Sequence, residues 1–121
     1  MSNFNQVTLM GNLTRNPQLS YTPNKTAVVE FGLGVNRKWK KEDGSLGEEV
    51  LFVDCKDYGK RAEVINKHFE KGSPIFVQGR LKLDQWHKDG KTHSRIRVLV
   101  EKFEFLISSR PDESSKAADN R

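Results

Sequence analysis

One cysteine, Cys55, is all the thiol chemistry in this 121-residue chain. A disulfide scaffold needs at least two, so that class is excluded and a reducing, cytosolic compartment is expected. A thiolate zinc site is excluded on the same count, and His68, His87 and His93 fall at no zinc-ligand spacing. No apolar run approaches the ~20 residues of a membrane span, so no membrane contact is expected. The first residues, MSNFNQVTLMGN, show no charged stretch leading into an apolar one, so no secretion signal is expected. Apolar residues are also scarce: hydrophobic content is 35%, charged content 31%, and mean hydropathy −0.73. The length argues for one domain, its core is expected to be small, and some apolar surface should be buried between subunits.

The motifs of catalysis are missing too. DGKT at 89–92 matches the end of a phosphate-binding loop, but the glycine that motif requires would stand at position 85, which is Gln85. There is no G-x-S-x-G. Asp54, Asp57 and Asp84 alternate with cations, a poor pattern for a metal-ion nuclease. Cys55 shares the parity of apolar neighbours and reads as an inert buried thiol. A binding protein is expected, not an enzyme, with no cofactor and no metal.

What is present is alternation. Val7, Leu9 and Leu13 share one parity; so do Ala27, Val29, Phe31, Leu33 and Val35. The same holds for Leu51, Val53 and Cys55, for Ile75, Val77, Leu81 and Leu83, and for Ile96, Val98 and Val100. Five such runs predict five strands, each with one face in a core. Between the third and fourth, GKRAEVINKHFEKG places Ala62, Ile65 and Phe69 on one helical stripe, with Gly72 as its stop. Three strands, a helix and two strands give the order of an OB fold: an all-β, five-stranded Greek-key barrel with one helix between strands three and four. Gly11, Gly32, Gly34 and Gly79 fall inside strands, where a small barrel must coil or bulge. Another α+β domain of the same element order is the alternative.

Two loops, KKEDGSLGEE and HKDGKTH, each contain Asp-Gly, carry lysines and follow a tryptophan, Trp39 or Trp86. The barrel is expected over residues 1–107. From Ser108 the sequence turns to SSRPDESSKAADNR, expected to be a short disordered tail over 108–121. Its charges cancel, Arg110, Lys116 and Arg121 against Asp112, Glu113 and Asp119, so the net +5 lies on residues 1–107. A mildly basic domain suits an anionic partner, nucleic acid first.

Parity also places aromatics on the face that should meet water. Phe52 and Tyr58 alternate out of the third strand with Asp54 and Lys56, and Trp86 shares the parity of Arg80 and Lys82. Trp39 has core parity but sits among Arg37, Lys38, Lys40 and Lys41, so its strand is expected to have left the barrel as a hairpin arm by residue 37. Flat rings beside cations suit single-stranded nucleic acid. Any base has a π-face to stack, worth ~1–3 kcal/mol, while Lys and Arg neutralise phosphates and release counterions. Trp39, Phe52, Tyr58 and Trp86 are the candidate stacking residues. Arg37, Lys38, Lys40, Lys41, Lys56, Arg80, Lys82, Lys88 and Lys91 are the candidate phosphate contacts. Each has a structural alternative: Trp39 and Trp86 can brace their hairpins or pack against another subunit, and Phe52 and Tyr58 can fill a subunit interface. Arg80, Lys82, Arg95 and Arg97 can be ordinary solvated charge.

The stretches NQVTLMGNLTRNPQLSYTPN, TAVVEFGLGVNRKW, YGKRAEVINKHFEKGS and VQGRLKLDQW, in this order over residues 5–106, resemble the bacterial single-stranded DNA-binding proteins. Gly11-Asn12-Leu13 with Pro17 and Tyr21, and Gly79-Arg80-Leu81 before Trp86, carry most of the likeness. The resemblance implies an OB fold, a homotetramer, base stacking at the four aromatics, and a role at the bacterial nucleoid in coating and protecting DNA during replication, recombination and repair. An OB accessory factor of the primosome or of recombination, or an RNA-binding OB module, is the alternative. The chain departs from the family at three places. Phe52-Val53 stands where the family often has Trp-His, which bears on subunit contacts. Pro23-Asn24-Lys25 stands for Pro-Asn-Gly. KAADNR stands where an acidic tip commonly recruits replication and repair enzymes, so such partners are not assigned.

Overall fold

The computed structural model describes residues 2–106, so the expected change of character from Ser108 lies outside the described residues. Its elements are β1 (Val7–Leu13), β2 (Gln18–Tyr21), β3 (Ala27–Lys40), β4 (Leu46–Tyr58), α1 (Lys60–His68), β5 (Pro74–Lys88) and β6 (Lys91–Phe105). Two long antiparallel hairpins dominate. β3 and β4 pair from Val28 opposite Tyr58 out to Lys40 opposite Leu46; β5 and β6 pair from Ile75 opposite Phe105 out to Lys88 opposite Lys91. β1 lies along β5 and crosses to β3 at Asn12 and Leu13, while β4 meets β6 in parallel at Cys55–Val98 and Lys56–Leu99. The ring β1-β5-β6-β4-β3 thus closes on itself, giving the five-stranded OB barrel that the alternation predicts.

The core follows the predicted parity where strands lie in the barrel wall. Val29, Phe31, Leu33, Cys55, Ile75, Val77, Val98 and Val100 are buried, and Ala62, Ile65 and Phe69 join them from the helix and its end. Each large apolar side chain so buried contributes about 1.5–3 kcal/mol. Burial pushes the Cys55 thiol up to about 12, with the Asp54 charge adding to the effect, so it stays protonated and unreactive. Asp57 is the one buried charged residue of the described core. It accepts two hydrogen bonds from Arg61, both at 3.0 Å, and one from the Tyr58 amide at 2.7 Å. That full set of partners makes a buried carboxylate tolerable.

Four expectations need correction. Gln18–Tyr21 forms a sixth, short strand against β3, which the sequence hides because its four residues are mostly exposed. Leu51, Leu81, Leu83 and Ile96 are not core: they are exposed at 43–59%, because both hairpins run on past the barrel and parity there faces no interior. For the same reason half of KKEDGSLGEE and most of HKDGKTH are strand, and the turns shrink to residues 41–45, closed by Lys41 N–H to Ser45 O at 2.8 Å, and to Asp89 and Gly90. Gly72 does not end the helix, which is capped at Phe69; it sits in the following Glu70–Ser73 turn.

Lys25 takes φ 66°, in a turn closed by its amide to Thr22 O at 2.8 Å. A left-handed residue with a side chain costs roughly 1–2 kcal/mol, and glycine gives back roughly half in unfolded-state entropy. Lys25→Gly is therefore expected to raise stability by about 0.5–1 kcal/mol in denaturant unfolding. A lowered midpoint would show that the lysine side chain stabilises the turn.

Candidate nucleic-acid interface

Strand register decides which side chains meet on the barrel's outer face. In β4 the buried Cys55 and half-buried Val53 fix the outward set as Phe52, Asp54, Lys56 and Tyr58. In β5 the buried Ile75 and Val77 fix Arg80, Lys82, Asp84 and Trp86 outward, and in β6 the buried Val98 does the same for Arg95 and Arg97. β6 lies between β4 and β5, so these sets form one continuous face. Phe52 is 71% exposed, Tyr58 37% and Trp86 38%. The Lys56 ammonium lies 5.7 Å from the Tyr58 ring centre, and Trp86 stacks on His93 at 5.7 Å and 19°.

Trp39 lies on the β3–β4 arm beyond the barrel, where Arg37 through Lys40 are all exposed. Its indole rests on Gly47 of the facing strand, so closely that a Cβ there would come within 2.4 Å of it. Only glycine permits that contact. The Arg37 guanidinium sits 4.7 Å from the ring centre. Protein therefore covers part of Trp39 and of Trp86, through Gly47 and His93, and 36% of Trp39 stays open.

The cations divide into two groups. Lys38, Lys40, Lys41, Lys88 and Lys91 lie on the arms and hairpin tips, exposed and without an ion pair among the described residues. The Lys88–Lys91 tip is a two-residue turn with Asp89 at φ 55° and Gly90 at φ 74°, as its Asp-Gly predicts. The remaining candidates already hold carboxylates. Arg37 pairs with Glu49 at 3.7 Å, Arg80 with Glu101 at 3.2 Å, and Lys56 and Lys82 with Asp84 at 3.9 and 3.2 Å. Sequence reasoning missed Arg15, which reaches Asp54 at 3.5 Å, and left Arg95 and Arg97 as ordinary charge. Arg95 in fact meets Asp54 at 2.9 Å, and Arg97 meets Glu30 at 3.1 Å and Asp84 at 3.1 Å. Their outward parity in β6 was the available signal.

The three aspartates of the nuclease alternative do not converge, because Asp57 is turned into the core while Asp54 and Asp84 face out. Among the described residues no group of three or more His, Cys, Asp or Glu is placed to hold a metal ion. No helix there is long and apolar enough to cross a membrane.

Comparison with known proteins adds the following. Residues 4–106 match the Single-strand binding protein family. The Single-stranded DNA-binding protein of Helicobacter hepaticus is 44% identical over 106 residues, covering 87% of this chain and 62% of that protein. A deletion mutant of the single-stranded DNA binding protein from Thermus aquaticus superposes with a TM-score of 0.76 at 36% identity, over 88% of this chain and 52% of that one. The Plasmodium falciparum SSB in complex with ssDNA shares the fold, with a TM-score of 0.77 at 21% identity over 88% and 97% of the two chains. The chain spans about three fifths of the length of the curated relatives it matches.

Proposed function

Because this chain belongs to the single-strand binding protein family, we propose that it binds single-stranded DNA with little sequence preference, coating and protecting it in replication, recombination and repair. One observation carries the reading: Phe52 and Tyr58 on β4 and Trp86 further out on the β5–β6 arm lie on one continuous outward face with lysine and arginine, their rings 37–71% open to solvent. Trp39 extends the set onto the β3–β4 arm. Bases stack on these four rings, each worth ~1–3 kcal/mol, while duplex DNA would have to be unstacked first. Lys38, Lys40, Lys41, Lys88 and Lys91 take phosphates directly. Arg37, Lys56, Arg80 and Lys82 do so by exchanging a carboxylate for a phosphate. The protein is a binder rather than a catalyst, and its place is the bacterial nucleoid.

It works as a homo-oligomer, a tetramer by family likeness. Two features support self-association. Among the described residues, 7–10 of β1 pair only with β5, because β3 closes on β1 from Gly11 onward, so one edge of that stretch is unpaired and can take another strand. Met10 is 58% exposed beside that edge, and Leu51, Leu81, Leu83 and Ile96 add apolar surface on the arms.

Titration with poly(dT), followed by tryptophan fluorescence, tests the function. Strong quenching is expected, with affinity falling as salt rises at a log–log slope of about −0.7 per phosphate neutralised. A preference for RNA, or strand cleavage on adding Mg²⁺, would overturn the reading. The mass in solution, with and without oligonucleotide, decides the tetramer.

A further inference from the structure

The outer face carries its positive charge already partnered. Asp84 gathers three cations from three strands: Lys56 of β4 at 3.9 Å, Lys82 of β5 at 3.2 Å and Arg97 of β6 at 3.1 Å. Asp54 gathers two, Arg95 at 2.9 Å and Arg15 at 3.5 Å. Both carboxylates stand in the same rows as Phe52, Tyr58 and Trp86, where a stacked strand would lay its phosphates.

The pairings are uneven: Arg95 donates to Asp54 at 2.9 Å and Lys82 to Asp84 at 3.2 Å, while two contacts of Asp84 fall short of a hydrogen bond. The Lys56 contact is too long for a hydrogen bond, and the buried Arg97 Nε–H has no acceptor in line with it although the Asp84 oxygen is 3.1 Å away. Lys82 is 42% and Arg95 55% exposed, so solvent already competes for them. By contrast, the arm lysines have no carboxylate to release.

Resting on the single-stranded DNA reading, we propose that Asp54 and Asp84 set the affinity of this face. Each occupies cations that phosphates would otherwise engage, and each repels an incoming phosphate. Binding proceeds by exchange: the phosphate takes the lysine or arginine and the carboxylate is left to water. The arm lysines make first contact, and the barrel face adds a weaker, readily reversed contribution. The carboxylates thus keep the strand releasable.

Asp84→Asn keeps the side chain's size and removes its charge. It is expected to tighten oligo(dT) binding about three- to tenfold at low salt, from the Coulomb repulsion of one nearby charge at an effective dielectric between protein surface and water. The gain should shrink as salt rises, and the log–log salt slope should steepen by about 0.7 for each phosphate newly engaged. Asp54→Asn is measured alongside, because Asp54 holds two part-exposed arginines and its loss strands less buried charge than Asp84→Asn, which takes a carboxylate from Lys56 and Arg97. A wild-type protein that fails to bind oligo(dT) at low salt sinks the single-stranded DNA reading and this proposal with it. A wild type that binds, with both folded variants no tighter, sinks this proposal alone and makes the carboxylates positioning groups for the cations.

Discussion

Replacing Trp39 and Trp86 together by alanine is expected to weaken oligo(dT) binding by about 2–6 kcal/mol. The two rings lie on different hairpins, Trp39 on β3–β4 and Trp86 on β5–β6, so each loses its own base and the losses should add. Neither ring is part of the buried core, and each rests on an arm residue, Gly47 or His93. The melting temperature should therefore move little while affinity collapses. That split separates stacking from bracing. If the rings only brace their hairpins, the double variant loses stability and keeps its affinity. Trp39→Phe with Trp86→Phe, which keeps two flat faces of smaller area, should recover most of the binding.

The largest stability effect is expected at Gly79. The β5–β6 register slips between Gln78, opposite Lys102, and Gly79, opposite Val100, so a bulge presses this residue against the neighbouring strand. A Cβ there would stand 2.0 Å from the Leu99 carbonyl oxygen and 3.1 Å from the Val100 Cα. Those are backbone atoms in a paired strand and cannot swing aside as a side-chain end would. Gly79→Val should cost about 3 kcal/mol or more, read as a lowered denaturant midpoint. A midpoint within about 0.5 kcal/mol of the wild type would mean that the bulge relaxes freely.

Much of the barrel was legible because alternation is a local property. Ala27 through Leu33, Ile75 with Val77, and Val98 with Val100 each declare a buried face without reference to any other strand. The helix was legible through Ala62, Ile65 and Phe69 for the same reason. What parity could not say is where a strand leaves the wall. Leu81 and Val98 face one another in the ladder and carry equally apolar side chains, yet one is 43% exposed and the other is buried. The difference is the strand on the far side, a tertiary fact: Val98 has Cys55 of β4 beside it, whereas β1 stops opposite Gly79, two residues short of Leu81. The outward placing of Phe52, Tyr58 and Trp86 was legible by the same logic as the core. The ion pairs were not. Asp84 meets Lys56 only because β4 and β6 run in parallel side by side, and nothing in either strand's own sequence announces that pairing. The seating of Trp39 on Gly47 likewise needed the hairpin register.

The barrel is in effect two long ribbons, with β1 laid along β5 of the second over six residue pairs, fastened to each other at two small clasps. Each ribbon is local in sequence and can zip from its own turn within microseconds. The clasps, Cys55–Val98 with Lys56–Leu99 and Asn12–Gly34 with Leu13–Leu33, join residues far apart along the chain and comprise two residue pairs each. Long-range joins of this kind form late and set the pace of folding. They are also the seams at which a finished barrel would first breathe, with the ribbons still zipped on either side.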